Sequence, residues 1–308
     1  QVTLNTKTLP LFFGIAALAS TSAFSAPKLY KPFPSDVTPS LSESGSFNVG
    51  VKTLRGSYPD GAKNVAGELG ERELTLEVWY PSEKGDATAV YINETRSGQE
   101  FEIQGDAYRD APVAKNDSRY PVIVVSHGYT GYRTLMYYLG EHLASHGYVV
   151  AAIDHTDSTN KDVDFAVNPF SGFPSTLLNR SRDQVFTLKS IEAHAFFKDS
   201  VDAEKAGIIG YSMGGYGAVS TVGGCYAFNE NQAATFTGTQ EPATIPSVKK
   251  ALNTCAGGNT TPEATLPARL RVAPVRSNSC CRRRRNNFGR QYRGPCVIEL
   301  WRYLLPIR

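Results

Sequence analysis

Ser212 has the clearest chemical prospects of any residue in this sequence. It stands in Gly210-Tyr211-Ser212-Met213-Gly214, which fits G-x-S-x-G. An apolar strand, Ala206 to Ile209, runs into the motif, and a small-residue helix, Gly214 to Val222, is expected after it. The pentapeptide alone is common by chance. Between a strand and a helix it describes a sharp turn that lifts a serine hydroxyl clear of a sheet, close to the positive end of a helix. Such a serine attacks carbonyl carbon, and backbone N–H groups hold the charge that develops on oxygen. A second turn, His127-Gly128-Tyr129-Thr130-Gly131, follows another buried strand, at the edge where open α/β sheets bind ligands. The amides of Tyr129 and Met213 are the candidate oxyanion donors, and His127 reads as structural.

A serine nucleophile needs a neighbouring base near neutral pH. All five histidines (His127, His142, His146, His155 and His194) precede Ser212, and no Asp or His follows it. Glu230, Glu241 or Glu263 could supply an acid, but nothing downstream supplies a base. His142 and His146 have the i, i+4 spacing of a zinc pair, yet Leu143 holds the place of the Glu in H-E-x-x-H. No metal and no cofactor are expected. Asp154-His155 ends a strand on the candidate-site edge and is expected to shape it.

The elements that must carry these residues follow from hydrophobic patterning. Strands are expected at Phe47 to Leu54 and Glu73 to Tyr80, then at Pro121 to Val125, Tyr148 to Ile153 and Ala206 to Ile209. Helices are expected around Leu135, Leu139, His142, Leu143 and His146, and from Asp183 to Phe197 on a face of Val185, Leu188, Ile191 and Ala195. Residues 82–119 read as a polar surface insertion, and residues 226–268 as polar and Thr-rich without further strands. Strand, helix, strand, helix, strand is the signature of a parallel sheet with right-handed crossovers.

Across all 308 residues, 41% are apolar and 20% charged, which excludes a disordered or collagen-like chain. A formal net charge of +3 gives no whole-chain reason to expect nucleic acid. Lys7, the apolar run Leu9 to Ala19 and Ala23-Phe24-Ser25-Ala26 read as a signal peptide over residues 1–25, so secretion or a periplasmic location is expected. That run is too short for a transmembrane anchor. Export admits disulfides, and Cys225 and Cys255 are expected to pair across a polar stretch. Residues 26–268 read as one domain. From 269 to 308 the chain has eleven Arg, no Lys and one acidic residue, with Cys280, Cys281 and Cys296. So abrupt a change reads as an aberrant tail in a shifted frame, in preference to a nucleic-acid patch at Arg282 to Arg285. Asn93, Asn116, Asn179 and Asn259 open N-x-[ST] sites, of consequence only in a eukaryotic secretory host.

Several motifs in order resemble the secreted α/β-hydrolases of the platelet-activating-factor acetylhydrolase and predicted dienelactone hydrolase group. They are Leu76-Glu77-Val78-Trp79-Tyr80-Pro81, His127 to Thr134, Leu143 to Ala152 with Asp154-His155, and Val201 to Lys205 leading into Gly210 to Gly215. The resemblance runs over residues 47 to 225. It implies an α/β-hydrolase fold, incomplete at its carboxyl end, and a cofactor-free Ser–His–Asp triad that hydrolyses carboxylic esters. By that resemblance Ser212 is the nucleophile, Tyr129 and Met213 form the oxyanion hole, and the partner is a small-molecule or polymer ester (short-chain, lipid or polyester); a monomer is expected. The missing downstream Asp and His depart from the pattern. They leave a second reading open, a catalytically silent hydrolase fold that only binds.

Overall fold

Val122 and Val124 face one side of a strand, and Ile123 and Val125 the other, and all four are buried. A strand buried on both faces must lie inside a sheet covered by helices on both sides. In the computed structural model, which describes residues 42–64 and 68–255, that strand is β5 (Tyr120–Ser126). It is flanked in parallel by β6 (Val149–Asp154) and β7 (Val201–Gly210). Beyond β6 the sheet continues antiparallel into β2 (Leu69–Ser82) and β1 (Asn48–Ala62). The outer pair, β3 (Thr88–Glu94) and β4 (Glu100–Arg109), completes a seven-stranded mixed sheet in the order β3-β4-β1-β2-β6-β5-β7.

Helix α1 (Tyr137–Ser145) covers one face, over Trp79, Ile123, Val125, Val150 and Ala152. Helix α2 (Phe173–Ala193) covers the other, where Ile191 and Phe197 pack on Leu76, Val78, Val122, Val124 and Ile153. Each such aliphatic side chain withdrawn from water contributes about 1.5–3 kcal/mol. After β7 come α3 (Met213–Thr221), α4 (Glu230–Thr237) and α5 (Ile245–Leu252). Parallel strands joined through helices, with helices on both faces, make an α/β-hydrolase type of sheet.

Several expectations change. Residues 82–119 are not a surface loop, because they hold β3 and β4. Ala89, Tyr91 and Asn93 point inward between exposed neighbours, so the two-residue period is real but carried by few apolar residues. Residues 226–255 hold two helices. α4 opens on a capping box, with Asn229 accepting from the Gln232 amide and Gln232 reaching back, and ends on Gly238 in the left-handed region (φ 70°). A disulfide joins Cys225 to Cys255, Cα atoms 4.1 Å apart, and clasps this helical pair. Helix α2 starts well before Asp183, and of its expected apolar face only Ile191 is fully buried. α1 buries Tyr137, Gly140 and Ala144, a face rotated from the expected Leu135, Leu139 and Leu143. Asn93 and Asn179 are buried and hydrogen-bonded, which bars them as glycan acceptors in the folded chain. The expected signal peptide (1–25) and Arg-rich tail (269–308) lie outside the described residues, as does Asn259. No helix among the described residues is long and apolar enough to cross a membrane.

Candidate active site

Ser212 sits where β7 turns into α3, at a φ of 50° and ψ of −114°. A side-chain-bearing residue held there costs of the order of 1–3 kcal/mol, so the surroundings must impose it. They do so by crowding. The Tyr211 amide donates to the Ser126 carbonyl at 3.0 Å, drawing the turn against the end of β5. A Cβ on Gly214 would lie 2.0 Å from that same Ser126 oxygen, and one on Gly210 2.4 Å from the Gly214 backbone. Only glycine fits at either place. The Ser212 side chain is exposed, at the N-terminus of α3, and its hydroxyl bonds to no other described residue.

The loop after β5 lies against this turn, since a Cβ on Gly128 would come 3.1 Å from the Ser212 Cβ. The loop is held from several sides. Thr130, itself at φ 61°, donates its amide to the Ser158 carbonyl at 2.8 Å, and Gly131 donates back to Gly128 at 3.0 Å. The Arg133 amide and guanidinium each reach Asp154 at 2.5 Å, and the guanidinium also reaches buried Glu77 at 3.0 Å. Burial lowers the affinity of Arg133 for its proton, but the Asp154 and Glu77 carboxylates outweigh it and hold the pKa above the ordinary value. The Tyr129 hydroxyl accepts from the Gly172 amide at 3.2 Å. Among the described residues the backbone N–H groups of Tyr129 and Met213 donate to no acceptor. Two free amides on segments that flank the same serine are what an oxyanion requires.

None of the histidines bonds to Ser212. His142 and His146 pack against one another on α1, ring centroids 4.7 Å apart, and His146 Nε2 reaches the Glu43 carbonyl at 3.0 Å. His194 caps the end of α2. His127 is buried, with Nδ1 2.5 Å from the Gly128 carbonyl and Nε2 accepting the His155 amide at 3.3 Å. His155 is buried too: Nδ1 lies 2.8 Å from Asp183 Oδ2, and Nε2 lies 2.8 Å from Ser126 Oγ. Asp183 also accepts from Arg72 at 2.8 and 3.1 Å and from the Tyr58 hydroxyl at 2.6 Å. Burial and nearby Arg180 push His155 down to about 3, against the partial opposition of Asp183. His127 is held well below its ordinary value by burial, with Arg180 and His155 adding to it. Burial works to raise Asp183, but Arg72 and the His155 hydrogen bond prevail and keep it well below the usual carboxylate range. No sequence motif marks Ser126, Asp183, Arg72 or Tyr58 as partners. Their partners lie up to 125 residues away, and no local pattern joins them.

Residues 100–166 match the family described as platelet-activating factor acetylhydrolase, isoform II, a stretch that runs from β4 through the loop bearing Tyr129. Cutinase est1 of Thermobifida alba is 30% identical over 148 residues, covering 45% of this chain and 46% of its own. The platelet-activating factor acetylhydrolase of Cavia porcellus is 27% identical over 124 residues, covering 34% of this chain and 28% of its own. Over these stretches the chain is similar to the platelet-activating factor acetylhydrolase family and to cutinases. It spans about half or less of the length of these relatives. A solved ferulic acid esterase from Streptomyces cinnamoneus aligns at a TM-score of 0.43, with 28% identity over 56% of this chain and 54% of the other. In this α/β-hydrolase the matched family segment holds the Gly128–Tyr129 turn, His155 and Asp154, and stops short of Ser212.

Proposed function

We propose that the protein is a serine carboxylic-ester hydrolase. Its acyl-enzyme forms on Ser212, and the amides of Tyr129 and Met213 receive the oxyanion. The observation that carries this reading is the elbow: an exposed serine at φ 50°, pinned by Tyr211 to the end of β5, beside two unengaged amides. In the reaction Ser212 Oγ adds to the ester carbonyl carbon and its proton passes to a base. The tetrahedral intermediate expels the alcohol, and water then releases the acid by the reverse steps. Relatives named as cutinases and as a platelet-activating factor acetylhydrolase support esters as the substrate class, and lipid or polyester esters in particular. The leader read at residues 1–25 supports export.

A second reading rests on its own observation. No Asp or His follows Ser212, and the histidines before it are engaged elsewhere. With no base, an oxyanion hole and binding leave a serine-protease site only about 10³–10⁴ over water. This chain by itself is therefore expected to turn over p-nitrophenyl acetate slowly and to act mainly as a binding fold. Labelling with a fluorophosphonate, followed by peptide mapping, separates the two. An adduct on Ser212, lost in Ser212→Ala, supports the hydrolase. An adduct on any other residue, or parental turnover in Ser212→Ala, overturns it.

A further inference from the structure

A second serine, histidine and aspartate are linked in this chain, and no reacting group can reach them. Ser126, His155 and Asp183 are 0%, 1% and 0% exposed. A carboxylate can only accept, so Nδ1 of His155 donates to Asp183, and the neutral ring then accepts the Ser126 hydroxyl proton at Nε2. The same logic fixes His127, whose Nε2 accepts the His155 amide and whose Nδ1 donates to the Gly128 carbonyl. Each tautomer is thus dictated by its partner. At one end of the chain of bonds, Asp183 is fastened to β1 and β2 through Tyr58 and Arg72. At the other, Ser126 is the residue whose carbonyl holds the Tyr211 amide and whose oxygen abuts Gly214. Residue 184, next to Asp183 on α2, donates from Gln184 Nε2 to the Gly214 carbonyl at 3.0 Å. The relay therefore ends under both halves of the site: the turn bearing Ser212 and, through His127 and Gly128, the turn bearing Tyr129.

We propose that Ser126, His155 and Asp183 are positioning residues for the chemistry at Ser212, a buried relay that sets the distance between the nucleophile and its two amide donors. This rests on the proposed hydrolase reading. None of the three is a catalytic residue, because none bonds to the Ser212 hydroxyl. What the relay controls is spacing. A misplacement of 1 Å between reacting groups can lower a rate by about 100-fold.

The test uses the full chain, ¹⁵N-labelled at histidine, with two variants that cut the same bond from opposite sides. Ser126→Ala removes the donor. His155→Asn keeps an amide able to reach Asp183 but stops short of Ser126. In the parent, the His155 resonances should show a protonated Nδ1 and an accepting Nε2, unchanged between about pH 5 and 8. In each folded variant the phosphonylation rate constant of Ser212 should fall at least about tenfold, with probe binding unchanged. Hydrogen-exchange protection of the Tyr211 and Thr130 amides should fall with it. If both variants keep the parent's rate constant and amide protection, the proposal is overturned. It is equally overturned if the rate loss merely tracks the unfolded fraction. Should the parent itself fail to react with the phosphonate, the hydrolase reading fails separately. The relay is then judged on Tyr211 and Thr130 protection alone, and retention of it in Ser126→Ala refutes the relay.

Discussion

Ser212 holds a positive φ because the Tyr211–Ser126 hydrogen bond and the close approach of Gly210 and Gly214 leave the turn no other path. Strain kept in place by tight packing at one residue should be released by removing its side chain. Ser212→Gly is therefore expected to raise the unfolding free energy by about 1 kcal/mol while abolishing Ser212-dependent labelling. Urea denaturation of the pair checks it, and a less stable glycine variant would show that the turn is not strained. At this scale much was legible. G-x-S-x-G marks the elbow partly by local demand, since Gly210 is crowded by the Gly214 backbone four residues on, whereas Gly214 is required by Ser126 at the end of β5. The role proposed for the Tyr129 amide rests on the same local logic. The engagement of His127 and His155 was not legible, since both depend on partners brought from other strands.

At the scale of elements, α2 departs most from its pattern. Its sequence predicts a helix from Asp183 with one apolar face, Val185, Leu188, Ile191 and Ala195, yet Thr176, Asn179, Arg180, Ser181, Asp183, Gln184 and Thr187 are all buried along it. Several of these find partners on other elements: Asn179 on Ala62, Asp183 on Arg72, Tyr58 and His155, and Gln184 on Gly214, while Thr187 bonds back to the Asp183 carbonyl. Among the described residues Thr176 Oγ1 has no partner, and Arg180 is only partly satisfied. It donates to Ser158 Oγ at 2.9 Å, while its Nε and Nη1 have no partner, and burial first of all pulls its pKa down to about 9. Two substitutions on this helix should thus differ in sign. Asp183→Asn leaves Arg72 buried without its carboxylate and should cost about 3–5 kcal/mol. Arg180→Met, of similar volume, should be neutral or stabilising by about 1 kcal/mol. Equal losses in the two variants, by chemical denaturation, would contradict this account. The clasp over α4 and α5 gives a further test. The disulfide closes a loop across a sequence separation of 30. Reducing it should cost about 3–4 kcal/mol on loop-closure grounds, and the unreduced, denatured chain should show neither Cys225 nor Cys255 as a free thiol.

For the whole molecule, two buried neutral histidines set the response to acid. His155 titrates at about 3 in the fold against an ordinary 6.5, and His127 is also held well below 6.5. Between these limits the unfolded chain binds protons that the folded one refuses, so stability rises with pH through that window and levels off above it. Each histidine should contribute a slope of about 1.4 kcal/mol per pH unit below its unfolded value. Asp183, held low, adds a loss in the same direction only once the pH falls below its ordinary carboxylate range. Unfolding midpoints measured from pH 8 down to pH 4 should be flat to about 6.5 and then fall. A flat profile to pH 4 would mean that the two rings are hydrated.

The sequence by itself determined what short-range physics controls. Runs such as Val122 to Val125 must be buried on both faces, and Gly210 is required by the Gly214 backbone within about one turn of chain. The Cys225–Cys255 pair was within reach of the same reading, from export and spacing. Tertiary structure alone decided which polar residues are partners. β4 joins the sheet because β1 offers it hydrogen bonds, and β3 because β4 does, although only about half of their residues are apolar. Asp183, His155 and Ser126 align because α2, β6 and β5 pack side by side, which puts residues 28 and 29 apart in sequence within 2.8 Å. Burial of apolar surface is proportional to composition and so can be read along the chain. A buried hydrogen bond depends on direction and distance between two particular atoms, and those exist only once the elements have met.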